Sequence, residues 1–419
     1  MNAQRIEPIK VFILIGLVTT SLLLGLKIGL EKLGYSQRWE AYGYEFLQAR
    51  LPQFSRREEI PVIVVDISKL GGGTSNQPTP RGRLQEIIDA VARQYPKAIA
   101  VDVDFSPSDT EVGWVDPEND PQFLEHCLEL SRKQPIFLGV DRGIESPPEA
   151  WLGVTEYQSM AVGMRFPLAA ERMLLWVRAP GVSEKLPSLS LALAQSYRRS
   201  VPRPPAGLAF MLEEIDRESV EEQQGGSEIT YAKALVNYSK LDAIASQSLA
   251  AASATSIADN GERFHNKLVI LGRLIDATDR FAVPGRGGEP VPGVLLHAAA
   301  TYTLVKEPLF EFTHTGRFFI DLLLALFLLG FVAFFRFRHR EDPSYNWHRK
   351  ELVATVLAVA FTVWGGILLI QAVGVLWFDF LAVAGALLLH APVGRFLTRR
   401  WRNWRVRAVD ASPVSEERA

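Results

Sequence analysis

The segment Pro61-Val-Ile-Val-Val-Asp66 sets the fold class, because it is a short, continuous run of mostly β-branched apolar residues. Such a run is typical of a strand that is buried on both faces of a parallel sheet. A helix is predicted next, with Thr79 as its N-cap, Pro80 at its first position and apolar residues at helical spacing up to Gln94. The run Lys97–Phe105 then predicts a second buried strand and completes a βαβ unit.

The alternation of strand and helix continues along the chain. Asp120-Pro121 predicts the start of a helix that runs to about Lys133, and Pro135–Val140 predicts a third strand. This order indicates an α/β domain with right-handed crossovers. Residues 200–228 are rich in Pro, Gly and acidic residues, which favours a surface insertion or a mobile loop. The other predicted elements are a strand at Leu174–Arg178, a helix at Leu189–Arg198, ordered chain at Ala234–Tyr238, a strand at Lys267–Gly272 and a helix at Pro292–Val305.

Four apolar stretches of membrane length flank this domain, at Val11–Leu26, Phe318–Phe335, Leu352–Ile370 and Val375–Val393. A transmembrane helix needs about 17–25 such residues. Lys and Arg are concentrated between the second and third stretches and after the fourth, whereas Gln371–Gly374 contain neither. Because basic loops stay in the cytoplasm, we expect residues 34–316 outside it and both termini inside. The first stretch lacks an Ala-x-Ala-like cleavage site, which favours an uncleaved anchor.

The predicted fold class is therefore α/β: a mainly parallel sheet flanked by helices, plus one N-terminal and three C-terminal transmembrane helices. The predicted parts are an N-terminal anchor at 1–33, an extracytoplasmic domain at 34–316, three transmembrane helices at 317–397 with a basic cytoplasmic loop at 336–350, and a short basic cytoplasmic tail at 398–419.

Composition narrows the possible partners. A formal net charge of −2 over 419 residues produces no large field, so no nucleic-acid partner is predicted. The clustered basic residues beside the apolar stretches are expected to contact anionic lipid headgroups instead. The single cysteine, Cys127, excludes a disulfide framework within the chain and a zinc site built from cysteines. It is expected to be a small buried residue of its helix.

Carboxylates follow two of the predicted strands. Asp66, Asp102 and Asp104 are expected at the carboxyl ends of neighbouring strands, where open α/β sheets bind ligands. They are candidates to hold a divalent cation or another ligand, or to do acid–base chemistry. The alternative is that they cap helices or pair with basic residues and so fix loops. Whether a metal binds there is left open.

Arg81, Asp279 and Arg280 are further candidates for this ligand site. Arg81 begins a helix, where a cation is disfavoured, so we expect a carboxylate partner, Asp66 or Asp102, or an anionic ligand. Asp279 and Arg280 follow another strand and form either part of the same rim or a mobile surface loop.

Catalysis has no support in the sequence, and no cofactor is predicted. His126, His265 and His297 do not fall at metal-ligand spacing. Ser188 and Ser190 have no identifiable base, so helix capping is the better interpretation of both. The chain is therefore not expected to be an enzyme.

These segments together resemble the CHASE2 family, which comprises extracytoplasmic sensory domains found ahead of bacterial adenylate cyclases, histidine kinases and Ser/Thr kinases. The layout of one apolar helix before the domain and three after it is also similar. The loop after the first strand departs from the family, because it lacks the usual Trp-Pro-Trp-Pro-Arg-like run. The residues that carry the resemblance are Val62–Asp66, Pro80-Arg81, Lys97–Ser106, Leu186–Ala194, Val236–Tyr238, Lys267–Gly272, Asp279–Phe281 with Pro284, and Pro292–Ala298.

The resemblance implies a sensor in the bacterial inner membrane, with its sensory domain periplasmic or extracellular. No output domain is recognised after the last apolar stretch, so we expect the signal to pass through the helices to a separate cytoplasmic or membrane partner. An unknown small external ligand and a homo-oligomer are also expected. The alternatives are a structural assembly subunit that oligomerises through its external domain, and an external metal-dependent hydrolase. A sensor is expected to have a closed polar pocket at the Asp66 and Asp102 strand ends, and a scaffold to be packed there.

Overall fold

A computed structural model describes most of the chain between residues 35 and 313 and part of its C-terminal region. The described residues are 25, 35–54, 59–72, 78–107, 115–141, 151–166, 171–178, 185–215, 218–222, 228–251, 253–258, 262–276, 279–313, 315–323, 347–376 and 400.

A parallel sheet of six strands lies at the centre of the domain, in the order β10-β1-β11-β2-β3-β4. All five of its pairings are parallel, as the continuous apolar runs predict. The prediction of a mainly parallel α/β sheet is confirmed. Its strands are β1 (Val62–Asp66), β2 (Ala98–Val101), β3 (Ile136–Val140), β4 (Ala161–Gly163), β10 (Leu249–Ala250) and β11 (Leu268–Gly272).

Helices cover both faces of this sheet. Odd-numbered side chains of β1 and β2, such as Ile63 and Ile99, belong to one apolar core with α2 and α3. On the opposite face α5 and α8 pack against each other and against the central strands. The helices are α1 (Tyr35–Phe54), α2 (Arg81–Ala92), α3 (Asp120–Ser131), α4 (Thr155–Gln158), α5 (Leu189–Arg198), α6 (Leu241–Ser246), α7 (Ala254–Ala258), α8 (Gly293–Val305) and α9 (Trp347–Val373).

Smaller antiparallel sheets surround the centre. They pair β5 with β9 and β8, β6 with β7, and β12 with β13, while β14 pairs with β15. Their bounds are β5 (Arg172–Leu174), β6 (Trp176–Arg178), β7 (Lys185–Pro187), β8 (Glu218–Glu222), β9 (Glu228–Leu235), β12 (Arg280–Ala282), β13 (Pro290–Pro292), β14 (Phe310–Glu311) and β15 (Val375–Leu376).

Three local predictions need correction. Pro80, not Thr79, is the N-cap of α2, and the Thr79 hydroxyl accepts a hydrogen bond from Arg273 Nη2 at 3.2 Å. The predicted strand at Leu174–Arg178 is two strands, because β5 pairs with β9 whereas β6 pairs with β7. Within the predicted loop at 200–228, β8 forms a hairpin with β9, and the pairing of these two strands overrides the loop-like composition.

Two compact units divide the chain. One comprises Glu45–Glu311 together with Val373–Val375. Described residues of the other include a helical segment at 315–323 and most of α9. The apolar stretch Leu352–Ile370 lies within α9, whereas Val11–Leu24, Leu26 and large parts of the second and fourth stretches lie outside the described residues. In the part of the chain that the structure describes, no helix combines the length and apolar character that crossing a bilayer requires.

Candidate functional site

Aspartates stand at the carboxyl ends of three strands of the parallel sheet. Asp66 is the last residue of β1, Asp102 directly follows β2, and Asp141 directly follows β3. They share the edge at which open α/β sheets bind ligands. However, β11 separates β1 from β2, and adjacent strands are about 4.8 Å apart, so those two strands lie about 10 Å apart. The prediction that Asp66 and Asp102 end neighbouring strands is wrong.

Asp102 is buried beneath this edge. Its side chain is 5% exposed, and its Oδ1 lies 3.8 Å from Nε2 of His297. Burial raises the pKa of the Asp102 carboxyl to about 7, and the nearby charge of Asp141 acts in the same direction. The carboxyl group therefore exchanges its proton near neutral pH.

His297 lies on α8, a helix whose 13 residues are all buried. Its Nδ1 is 3.4 Å from Ser190 Oγ, and the ring packs edge-on against Phe166 with centroids 5.2 Å apart. Burial lowers the pKa of the imidazole to about 4, although the charge of Asp279 opposes that shift. The imidazole is therefore neutral at physiological pH.

Asp279 completes a cluster of three ionisable groups, which we call the Asp102–Asp279–His297 cluster. Burial and then the charge of Asp102 raise the pKa of Asp279 to about 6, while His297 partly opposes the shift. The backbone holds Asp279 against the start of α8, because the Gly293 amide donates to the Asp279 carbonyl at 3.1 Å. The cluster thus joins the sheet edge, the loop before β12 and α8.

Glycines allow the close approach of these groups. A Cβ atom on Gly293 would lie 2.5 Å from Asp279 Oδ1, and one on Gly272 would lie 3.1 Å from the Asp102 Cβ and 2.5 Å from Val294 Cγ2. Side-chain carbon atoms do not approach other atoms so closely. Gly293 therefore packs closely on the Asp279 carboxyl, and Gly272 packs closely on the Asp102 Cβ.

Asp66 and Asp104 fix loops. Asp66 Oδ1 accepts the amides of Ser68 at 2.9 Å and Leu274 at 3.1 Å. Asp104 Oδ1 accepts the Ser106 amide at 2.9 Å and the Asp141 amide at 3.3 Å. These contacts match the structural alternative for both residues. A ligand role for either remains a prediction.

Arg81 forms a buried ion pair away from the cluster. Its Nε donates to Asp120 Oδ1 at 2.6 Å, so the partner is not Asp66 or Asp102 as predicted. The guanidinium carbon lies 4.4 Å from the ring centroid of Phe105, which itself stacks on Phe123. Asp120 is 39 residues away in the sequence and is brought near by the packing of α3 beside α2. Sequence spacing alone gave no sign of it.

Arg280 is the exposed first residue of β12 and contacts neighbouring backbone. Its Nε donates to the Asp276 carbonyl at 3.0 Å, and its Nη1 donates to the Pro290 carbonyl at 3.3 Å. These bonds hold the turn between β12 and β13. Of the six predicted site residues, the structure therefore brings together only Asp102 and Asp279.

A base near Ser190 was missed in the sequence. In space, the His297 imidazole lies between the Asp102 carboxyl and the Ser190 hydroxyl, as the histidine of a hydrolase triad does. The prediction that Ser190 has no neighbouring base is therefore wrong. Yet Ser190 is only 1% exposed, and its hydroxyl donates to the backbone carbonyl of His297 at 3.2 Å. A substrate carbonyl has no access to Oγ in this arrangement. Ser188 is the N-cap of α5 as predicted, and its Oγ accepts the Leu191 amide at 3.2 Å.

Metal binding has little support from the described residues. Among them, no group of three or more His, Cys, Asp or Glu side chains is arranged to hold a metal ion. Nε2 of His297 lies 3.8 Å from Asp102 Oδ1, and Gly293 packs closely on the Asp279 carboxyl. Ca²⁺ and Mg²⁺ normally take six or more ligands, mostly oxygen atoms and often including water.

The comparison with known families gives the cluster its context. The CHASE2 domain family matches residues 15–332, which is most of the chain. The chain belongs to the CHASE2 family. CHASE2 domains are sensory extracytoplasmic domains, so the Asp102–Asp279–His297 cluster lies inside a sensory domain. No curated protein and no solved structure matches the chain.

The CHASE2 match extends from the first apolar stretch into the second. It therefore includes the whole six-stranded sheet, α8 and β14. The block Pro292–Ala298, which helps carry the resemblance, contains His297. The sequence analysis did not identify His297 as a site residue, although a single imidazole in an otherwise uncharged helix is a signal that could have indicated a buried ionisable group.

Proposed function

We propose that this protein is a membrane-anchored CHASE2 sensor that relays an external signal through its transmembrane helices to a separate partner protein. Residues 34–316 lie outside the cytoplasm in this proposal, and both termini lie inside. Family membership and the four apolar stretches support this arrangement. The basic loop at 336–350 and the basic tail face the partner and the lipid headgroups.

One hydrogen bond carries the proposal. The Phe310 amide donates to the Gly374 carbonyl at 2.7 Å, and Val373–Val375 belong to the same compact unit as Glu45–Glu311. Gly374 lies in the turn between the third and fourth apolar stretches, which the charge distribution predicts to be external. A turn that pairs with the sensory domain has to be on the same side of the membrane as that domain. The contact therefore supports the proposed topology and offers a route for the relay.

The route begins at the cluster. Helix α8 carries His297 in its second turn, ends at Val305, and leads within a few residues to Phe310. Arg172 Nη2 donates to Glu311 Oε1 at 2.6 Å, which ties the strand that contains Phe310 to β5 of the same domain. A signal passes along this route only if the stimulus favours one of two arrangements of α8 and the turn.

Thiol labelling tests the topology, because the native thiol gives little background. Cys127 is buried, and burial raises the pKa of its thiol to about 12, so it resists alkylation. Glu289→Cys replaces a side chain that is 79% exposed in the β12–β13 loop, and Ser344→Cys lies in the basic loop. We expect a membrane-impermeant maleimide to label Glu289→Cys in intact cells with a permeabilised outer envelope, and Ser344→Cys only after lysis. The opposite pattern would refute the topology.

Co-purification tests the relay against its alternative. The close packing of Gly293 on the Asp279 carboxyl and of Gly272 on the Asp102 Cβ is the observation that favours a structural assembly subunit. We expect the full chain, extracted in mild detergent, to retain a second polypeptide in fixed stoichiometry, and to lose it when the arginines of the 336–350 loop are replaced by glutamine. Recovery of a homo-oligomer alone would favour the assembly subunit instead.

A further inference from the structure

We propose that the Asp102–Asp279–His297 cluster is a proton-binding site through which the sensory domain responds to external pH. This inference rests on the proposed sensor function and names its stimulus. It stands on three features of the fold: the convergence of the groups, the lack of space around them, and their link to α8.

The three groups converge from distant parts of the chain. Asp102 follows β2, Asp279 precedes β12 and His297 lies on α8, and the Asp102 Oδ1 to His297 Nε2 distance is 3.8 Å. The Asp102 and His297 side chains are each 5% exposed. Asp279 beside them is half-buried. Two carboxyl groups and an imidazole that are removed from water to this extent cannot all be charged without a desolvation cost. Their shared charge state is therefore set by the number of protons that they bind.

The surroundings leave a proton as the ligand that fits. A Cβ on Gly293 would overlap the Asp279 carboxylate, and one on Gly272 would come within 3.1 Å of the Asp102 Cβ. Phe166 covers the imidazole, and Ser190 occupies its Nδ1 side. A methyl group therefore does not fit between Gly293 and the Asp279 carboxyl, or between Gly272 and the Asp102 Cβ, without movement of the surrounding atoms. A proton enters without any change in packing.

The charged groups around the cluster do not neutralise its carboxylates at close range. From the end of β3, Asp141 acts on both Asp102 and His297, and from the loop before β12, Asp276 acts on Asp279. Arg165 lies 3.9 Å from Asp141, where both side chains are 53% exposed. From α5 the neighbour of the imidazole is the uncharged Ser190. In the part of the site that the structure describes, the negative charges of Asp102 and Asp279 are thus neutralised by protonation rather than by an ion pair with a basic side chain.

The sign of the response follows from the pKa directions. Burial raises the pKa of Asp102 to about 7 and that of Asp279 to about 6, so the fold binds more protons there than the unfolded chain does between about pH 4 and these values. These two groups therefore weaken the fold as pH rises through 6 to 7. His297, with its pKa lowered to about 4, acts in the opposite direction, but its effect is complete by about pH 6.5. Near neutrality the carboxyl groups dominate, and loss of their protons places repelling charges between the sheet edge and α8.

Infrared spectroscopy of the full chain in mild detergent tests the proton site directly. Ordinary Asp and Glu carboxyl groups protonate near pH 4, so a protonated-acid C=O band that grows from about pH 8 to about pH 5.5 belongs to groups with raised pKa values. We expect two such groups per chain. Asp102→Asn should remove the one that titrates near 7 and move the titration of Asp279 to lower pH, because the charge of Asp102 raises the pKa of Asp279. Asp279→Asn should remove the one near 6. Asp104→Asn is the matched control, because it changes a neighbouring aspartate outside the cluster and should leave both.

Amide hydrogen exchange in the same samples tests the response. After correction for the intrinsic pH dependence, we expect exchange in α8 and at Phe310 to be faster by about threefold or more at about pH 8 than at about pH 5.5, and equal in the Asp102→Asn/Asp279→Asn double variant. Absence of the acid band above about pH 5.5, its persistence in the double variant, or exchange that is independent of pH in the wild type would each overturn the proposal. None of these results depends on the thiol-labelling outcome, so failure of the proton site is distinct from failure of the topology. If the double variant does not fold, the proposal is tested by the wild-type protein alone, through its acid band above about pH 5.5 and the pH dependence of its amide exchange.

Discussion

Replacing Gly374 by alanine should release the turn between the third and fourth apolar stretches from the sensory domain. Gly374 has a φ of +67°, where residues with a Cβ are strained, and a Cβ there would overlap the carbonyl oxygen of Pro308. The backbone strain alone costs about 1–3 kcal/mol, and the overlap with a carbonyl oxygen adds to it. Because each 1.4 kcal/mol is a factor of ten, we expect the Phe310 amide to exchange roughly 10- to 100-fold faster in the full-length variant.

Two matched glycines separate the causes of that effect. Gly287 also has a positive φ, of +63°, but a Cβ there meets nothing within 4 Å, so Gly287→Ala introduces the strain without the overlap. Gly365 lies within α9 and would meet nothing within 4 Å either, so Gly365→Ala introduces neither. We expect the Phe310 amide to keep its wild-type exchange rate in both controls. Unchanged exchange at Phe310 in Gly374→Ala would show that the hydrogen bond to the turn is not maintained in solution.

Replacing Arg81 by methionine should be the most destabilising single change among those considered. The Arg81 and Asp120 side chains are 2% and 7% exposed, and removing one partner leaves the other charge buried without its ion pair. Such breaks cost about 3–5 kcal/mol. Loss of the contact of the guanidinium with the Phe105 ring adds about 1–2 kcal/mol at a desolvated site. Denaturant titration of the full chain in detergent, with exchange protection of α2 and α3 as the local probe, measures the loss.

A surface arginine provides the control for Arg81. Arg83 lies in the same turn of α2 and is exposed, so Arg83→Met should change the free energy of unfolding by no more than about 0.5 kcal/mol. Adding Asp120→Leu to Arg81→Met should recover part of the loss, because the buried carboxylate is removed too. A loss below about 1 kcal/mol in Arg81→Met would contradict a buried, stabilising ion pair.

The sequence predicted the elements of the sheet better than their arrangement. Pro61–Asp66 was predicted as a strand buried on both faces of a parallel sheet and Lys267–Gly272 as a strand, and the strands that these runs form, β1 and β11, are both within the parallel sheet. Their adjacency in the sheet was not predictable, since the chain reaches β11 only after about 200 further residues. Local signals also misassigned the cap of α2, where Thr79 instead accepts a bond from Arg273 across the domain. Periodicity describes each element, whereas long-range packing sets the order.

The same distinction explains the candidate site. Asp102 and Asp279 were predicted as site residues because each follows a strand, and open α/β sheets bind ligands at the carboxyl ends of their strands. Their association with His297 depends on how α8 lies on the sheet, which no spacing in the sequence specifies. Arg81 was predicted to need a carboxylate, and the structure provides one, but Asp120 comes from α3 rather than from the strand ends. The type of interaction was therefore predictable, and the partner was not.

The position of β11 between β1 and β2 has a consequence for biogenesis. The centre of the sheet is not complete until Leu268–Gly272 are available, although its neighbours are made more than 160 residues earlier. In the proposed topology, the chain up to Gly272 has to cross the membrane before the centre of the sheet closes, so the emerging segments expose unpaired strand edges to the translocation machinery and to chaperones. Variants that slow secretion near residue 268 should therefore be degraded during export, even when the mature domain is stable.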